Sequence, residues 1–256
     1  MELKTRGFAL SSRPRSESDR LVRFFTLHAG CVWASVRGAR KHNSKLASSL
    51  ELMSESDLVL YRKGGSDFHR LVQAKLLSGH ANLKKDLASI TMLQVLSDVL
   101  GQSIPDGEGN TGCYALVLEV LSTFREAGSA AEKERVFISF AFKLLDLLGY
   151  PAELSVCSEC GSSLERGPAI LIAHRGGALC RTCAPGNSPL HLQPAHRAIL
   201  EKLASWPLSR TRVLKTTPHL SRELFKTVLG YLEATFEHPL RSFPYYLQVV
   251  PLDKKG

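Results

Sequence analysis

Cys157-Ser158-Glu159-Cys160-Gly161 and, beyond a polar, glycine-rich spacer, Cys180-Arg181-Thr182-Cys183 form the most readable stretch of the chain. The spacing C-x2-C-x19-C-x2-C falls in the window of a four-cysteine zinc site. Two residues between cysteines let both sulfurs turn onto one ion. A spacer of about twenty residues lets a short hairpin return the second pair and close a tetrahedron of thiolates. Gly161 tolerates the positive φ of the turn after the first pair, and Gly176-Gly177 suits the returning hairpin. Four sulfurs leave no position for water, which marks a structural ion and not a catalytic one. The expectation is one structural Zn2+ on Cys157, Cys160, Cys180 and Cys183. Other arrangements compete for the same residues. Redox dithiols usually occur singly beside a βαβ pattern, which is not read here. Two disulfides would suit a secreted chain, and nothing points to secretion. An iron–sulfur cluster also takes four cysteines. His174 and His191 flank the second pair and can ligate a metal, but with four cysteines present they read as surface residues.

The 256 residues, 44% of them hydrophobic, suffice for one large domain or two to three small ones with real cores. Glu2, Lys4 and Arg6 interrupt the N-terminus and no apolar segment follows, so no signal peptide is expected. The most apolar run, Val136 to Tyr150, contains Lys143 and Asp146 and falls short of the ~18 residues of a membrane span. A soluble cytoplasmic protein with Cys31 and Cys113 reduced is the expectation. The net charge of +9 is unevenly spread: residues 1–80 carry 14 Lys/Arg against 7 Asp/Glu, residues 81–150 carry 6 against 9, and residues 151–256 carry 13 against 8. An excess concentrated in the N-terminal third points to a polyanionic partner, although basic faces are also commonly just solvated.

The first eighty residues read as strands. Leu3–Ser11 is one. Leu21, Arg23, Phe25 and Leu27 mark a second, ending at His28-Ala29-Gly30, and Cys31–Val36 follows as its hairpin partner. Asp57–Arg62 is a fourth, turning at Gly64-Gly65, and Phe68–Leu77 a fifth. Five short strands fit a small barrel such as the OB-fold; periodicity does not separate this from an SH3-like barrel. Between the third and fourth strands lies Arg37-Gly38-Ala39-Arg40-Lys41-His42-Asn43-Ser44-Lys45, a strongly basic loop suited to phosphate contact or to simple solvation. Arg13, Arg20, Arg62 and Lys63 are further candidate nucleic-acid contacts from the same region. Trp33 can stack on a base, but strand alternation favours placing it in the core.

From Ala81 the period turns helical, with Leu83, Leu87, Ile90, Leu93, Leu96 and Leu100 on one face. Ile104–Asn110 is a loop. Helices are expected over 113–125, 130–148, 194–206 and 220–237, with the cysteine module between the second and third of these and Ala169–Ala173 as its strand. Arg241–Tyr246 is expected to end the ordered part, and Lys254 and Lys255 to lie in a loose tail. The fold class expected is α+β and multidomain: a five-stranded β-barrel (OB-fold) at 1–80, then a mainly α-helical domain at 81–256 with a four-cysteine zinc finger inserted at about 152–190. Phosphate loops, dinucleotide fingerprints, H-E-x-x-H, nucleophile elbows and the deaminase H-x-E with P-C-x-x-C are not found, which agrees with a binding protein and not an enzyme.

Several stretches, in this order, resemble the bacterial recombination mediator RecO. They are Ser16–Leu21 leading to Phe25-Thr26 and Gly30; Val36–Lys41 with Ser44; Leu144–Pro151 followed by the cysteine pairs and Gly176-Gly177; and Tyr231-Leu232 with Leu240–Ser242. The resemblance spans nearly the whole chain and is to the zinc-containing branch. Leu50-Glu51-Leu52-Met53 departs from the family's Leu-Gln-Pro-Phe, which bears on local packing there. The resemblance implies single- and double-stranded DNA binding and strand annealing. It also implies action with RecR to load RecA onto DNA covered by single-stranded-DNA-binding protein, and recognition of that protein's acidic C-terminal tail. No catalysis and no membrane are implied, and the location would be the cytoplasm, with the nucleoid. Arg197 and Lys202, on the helix after the cysteine module, are the candidates for the tail, with ordinary exposed charge as the alternative. Arg166, Arg175 and Arg181 are candidates for a secondary DNA contact. A different class of function, a zinc-ribbon scaffold acting through protein–protein contacts, fits the same residues.

Overall fold

The computed structural model describes residues 1–41, 44–165, 167–185 and 190–252. Arg166, Lys254 and Lys255, singled out above, lie outside the described residues, as do positions 42 and 43 of the basic loop. The chain divides into two compact units, Met1–Tyr114 and Ala115–Gly256.

In the first unit, β1 (Glu2–Pro14), β2 (Arg20–Thr26), β3 (Gly30–Val36), β4 (Glu55–Tyr61) and β5 (His69–Ser78) close into a barrel in the order β1-β2-β3-β5-β4. β1 pairs with both β2 and β4, and a register shift between Ala9 and Ser11 lets this long strand bend round the barrel. β3 and β5 run parallel, with Ala34 opposite His69 and Ser35 opposite Arg70. This is the OB-like arrangement expected. Inward-pointing Ala9, Val22, Phe24, Val32, Ala34, Val36, Leu58, Leu60 and Leu71 fill it.

The first strands are also covered from outside. Asp86 caps α1 (Leu87–Ser103), its carboxylate accepting the Ser89 amide at 2.8 Å, a contact worth about 1 kcal/mol. From α1, the Ser97 hydroxyl donates to the Leu10 carbonyl at 2.7 Å, and the Cys31 sulfur lies 3.8 Å from the Leu100 carbonyl. The Tyr114 ring packs 4.9 Å from Phe8 and 5.6 Å from Phe25. Phe8, Leu10, Phe25 and Cys31 are therefore buried although they do not belong to the barrel interior. Burial pushes the Cys31 thiol up to about 12, so it stays protonated. Gly30, at φ +56, must be glycine: a Cβ there would stand 2.4 Å from the Pro105 carbonyl. At the family departure, Met53 is fully buried in the left-handed region, its amide donating to the Ala9 carbonyl at 2.7 Å.

α2 (Thr111–Glu126) contains the boundary between the units. In the second unit, α3 (Ala130–Leu147) starts at a reciprocal cap: the Ser129 hydroxyl accepts the Glu132 amide and the Glu132 carboxylate accepts the Gly128 amide. A small antiparallel sheet follows, β6 (Ala169–Ile172), β7 (Gly177–Cys180) and β8 (His191–Leu192), in the order β7-β6-β8. Then come α4 (Pro194–Ser205), α5 (Leu208–Thr211), α6 (Pro218–Phe236) and α7 (Ser242–Val249). α3 packs against α4, α5 and α6. The stretch from Arg241 to Tyr246 does not end the order: it enters α7, which buries Tyr246 and directs its hydroxyl to the Glu134 carboxylate at 3.0 Å. Glu134 also pairs with Arg222, and its burial raises its pKa against that pull. Among the described residues, no helix is long and apolar enough to cross a membrane.

Candidate nucleic-acid interface and cysteine cluster

The β1–β2 turn and the basic loop after β3 are tied into one corner. The Asp19 carboxylate accepts the Gly38 amide at 3.0 Å and the Ser18 hydroxyl at 3.0 Å. The Arg40 amide donates to the Ser18 carbonyl at 3.0 Å, and its guanidinium to the Ser16 carbonyl at 3.1 Å. The Arg15 amide donates to the Asp19 carbonyl. This gathers the segments that carry Arg13, Arg15, Arg20, Arg37, Arg40 and Lys41 at one end of the barrel, all but the half-buried Arg20 exposed. Arg20 is braced by the Ser12 hydroxyl and carbonyl. Lys45 is exposed beyond the loop. Arg62 and Lys63 sit at the β4–β5 turn, where the Arg62 guanidinium donates to the Ser66 carbonyl at 3.0 Å.

Trp33 is not in the core. It is half-buried on the outer face of β3, opposite Arg23 of β2, with the Arg13 and Arg23 guanidiniums 4.8 Å and 5.8 Å from its ring centroid. The alternation that fills the barrel belongs to Val32, Ala34 and Val36. Arg23 itself is paired with Asp106 at 3.2 Å.

In the second unit the four cysteines meet. Cys157, Cys160, Cys180 and Cys183 offer sulfurs all within 4.8 Å of one another, and Cys160 and Cys180 are 3.9 Å apart. A tetrahedron with Zn–S bonds of about 2.3 Å sets its sulfurs about 3.8 Å apart; a disulfide needs about 2.05 Å. None of the six cysteines is joined in a disulfide. Gly161 takes φ +71 after the first pair, and its amide closes that knuckle on the Cys157 carbonyl at 2.8 Å. Gly177 cannot carry a side chain, because a Cβ would lie 2.2 Å from the Glu153 carbonyl, to which Ala178 donates. Burial works to raise the Cys157 pKa, yet the amides of Cys180, Cys160 and Glu159 hold it down at about 6. Cys180 is lowered, first by the Cys183 amide, whereas Cys183 is pushed up to about 12, first by the sulfur of Cys160 and then by that of Cys180. Such crowding cannot hold four thiolates without a cation, so the donor set fits a metal ion. His174 and His191 are exposed and stand outside the cluster. Arg175 pairs with Glu159 at 3.1 Å, and Arg181 is exposed.

A family model described as "Recombination protein O N terminal" matches residues 1–80, and one described as "Recombination protein O C terminal" matches residues 84–244. The chain belongs to the recombination protein O family. It is similar to the protein named "DNA repair protein RecO" from Desulforamulus reducens, at 26% identity over 240 residues covering 93% of this chain and 91% of that one. A likeness of 26% over 251 residues, covering 98% of each chain, holds to the protein of the same name from Anaeromyxobacter sp. strain K. The RecO N-terminal match contains every strand of the barrel and the whole cationic corner; the RecO C-terminal match contains the cysteine cluster.

Within this RecO-family chain the two residues read as tail contacts differ in setting. Arg197 is buried, donating to the Leu154 carbonyl at 3.2 Å and pairing with Glu201, while Lys202 is exposed. Arg15, Arg23 and Phe68 join the corner without having been singled out from sequence. Arg15 lies 5.5 Å over the Phe68 ring. No local signal marks them, because Arg23 meets Trp33 through the β2–β3 pairing and Arg15 meets Phe68 across separate segments of the chain.

Proposed function

We propose that this chain is a non-enzymatic DNA-binding recombination mediator acting in recombinational repair. The barrel, residues 1–80, binds single- and double-stranded DNA through Arg13, Arg20, Arg37, Arg40, Lys41, Lys45, Arg62, Lys63 and Trp33. Residues 81–256 form the helical domain, with a zinc finger inserted at about 152–190. The observation that supports this most is the cationic corner, where Asp19 and Arg40 gather guanidiniums from two segments of a small barrel. Such a surface attracts phosphates of any sequence. Annealing requires two like-charged strands to approach, and cations facing both lower that repulsion.

Following its relatives, which carry the name of a DNA repair protein, the chain acts with RecR to load RecA onto DNA covered by single-stranded-DNA-binding protein. Lys202 remains a candidate for the acidic tail of that protein, whereas Arg197 is engaged internally. One Zn2+ on the four cysteines is structural: it staples the β6–β8 module and carries no chemistry of its own. The chain works in the bacterial cytoplasm at the nucleoid. The test is annealing of complementary oligonucleotides at low and high salt. Acceleration at low salt that fades as salt rises is the expected result. A folded protein that leaves annealing unaccelerated at every salt concentration rejects the reading.

A further inference from the structure

Among the described residues of the barrel, two aromatic rings lie under arginines: Trp33 under Arg13 and Arg23, and Phe68 under Arg15. Both rings are half-buried, seated on the barrel with one side toward the cations. β3 and β5 run parallel with Ala34 opposite His69. Trp33 directly precedes Ala34 and Phe68 directly precedes His69, so both rings lie at the start of that ladder. Phe68 is fixed in place: its amide donates to the Ser66 hydroxyl at 3.3 Å, and that hydroxyl donates to the Phe68 carbonyl at 2.9 Å. Arg15 is carried by the turn that Asp19 ties to the basic loop.

We propose that Trp33 and Phe68 are stacking platforms for unpaired bases, with Arg13 and Arg15 as the cations that turn from ring to phosphate. The inference rests on the nucleic-acid reading of the corner and adds which residues grip bases. Without DNA, each guanidinium covers a ring face by cation–π attraction, which is weak at an exposed site. A nucleotide brings both a larger π-face for the ring and a full negative charge for the guanidinium, so the exchange favours binding. Duplex DNA keeps its bases stacked on one another and offers this face only phosphates. Phe68 is thus a specificity-determining residue for single strands.

The test uses the full chain carrying Phe68→Leu or Phe68→Trp, titrated with a labelled oligothymidylate and with a duplex of equal length across a salt series. Phe68→Leu is expected to weaken single-strand binding by about 5- to 150-fold, the range for losing one stacked base. Duplex affinity and the salt slope should stay unchanged, since no phosphate contact is lost. Phe68→Trp should restore the affinity. In a Trp206→Phe background, Trp33 emission should be quenched by the oligothymidylate. Equal losses on duplex and single strand, undiminished binding by Phe68→Leu, or unquenched Trp33 emission would overturn the proposal. The triple variant Arg37→Ala/Arg40→Ala/Lys41→Ala separates this from the underlying reading. If the triple variant loses binding while Phe68→Leu keeps it, the platforms alone fail; if the triple variant binds like the parent, the corner itself is not the interface.

Discussion

Asp19 is a carboxylate set among cations, and its job is positional. The Gly38 amide, then the Ser18 hydroxyl, lowers its pKa, with Arg37 and Arg15 adding to the effect. Because folding lowers this pKa, the stabilisation from the tie is fully present above the ordinary value of 3.8 and is lost as the pH falls from there through the lowered one. Charge and positioning pull binding in opposite directions here, which makes the residue testable. Asp19→Asn keeps an acceptor for the Gly38 amide and removes a negative charge, so it should bind single-stranded DNA at least as tightly as the parent. Asp19→Ala removes the acceptor as well and should bind several-fold more weakly than Asp19→Asn in the same low-salt titration. Equal affinities for the two variants would deny Asp19 its role. Trp33 carries a second lesson at this scale. Its strand alternates, but Leu21 and Phe25 of β2 and Cys31 of β3 are buried on the outer face. Where a sheet is packed on both sides, apolar residues no longer mark the interior. Alternation therefore sent Trp33 to the wrong face.

The basic loop and the cysteine module are the elements on which the proposed function turns. Replacing Arg37, Arg40 and Lys41 by Ala should weaken single-strand binding and flatten the plot of log affinity against log salt by roughly 0.7 per lost phosphate contact. Unchanged affinity and slope in the folded triple variant would remove the loop from the interface. For the module, structural zinc contributes on the order of 10–16 kcal/mol in small peptides. Elemental analysis of the full chain should give one zinc per chain, and chelation should lower the melting temperature of the helical unit. Iron, or no stoichiometric metal, would overturn the zinc assignment. The barrel strands, β6 and most helices were legible as elements because their periods are local. α7 was not: a short Ser-Phe-Pro-Tyr-Tyr segment has no helical period to read, and it is helical because Tyr246 reaches the buried Glu134–Arg222 pair.

At the scale of the molecule, the barrel is not self-sufficient. α1 and Tyr114 cover Phe8, Leu10 and Phe25, each worth roughly 1.5–3 kcal/mol when fully buried. Stripping them away removes a sum comparable with the ~5–15 kcal/mol stability of a whole domain. A fragment ending at His80 should therefore fail to melt cooperatively, while one ending at Glu126 should do so. A cooperative transition for the shorter fragment, seen by calorimetry, would show that the cover is dispensable.

The cysteine ligand set, the order of strands then helices, the position of the insertion and the basic loop are all written in short-range spacing. Knuckles, turns and helical periods are properties of neighbouring residues, so they can be read without coordinates. What folding had to supply was every relation between distant segments. The Asp19–Gly38 tie, the Arg15–Phe68 stack, the outward turn of Trp33 and the burial of Arg197 each depend on register or packing across the fold. Side-chain partners in a barrel are chosen by strand pairing and by what covers the outer face, and neither leaves a trace in the residues next along the chain.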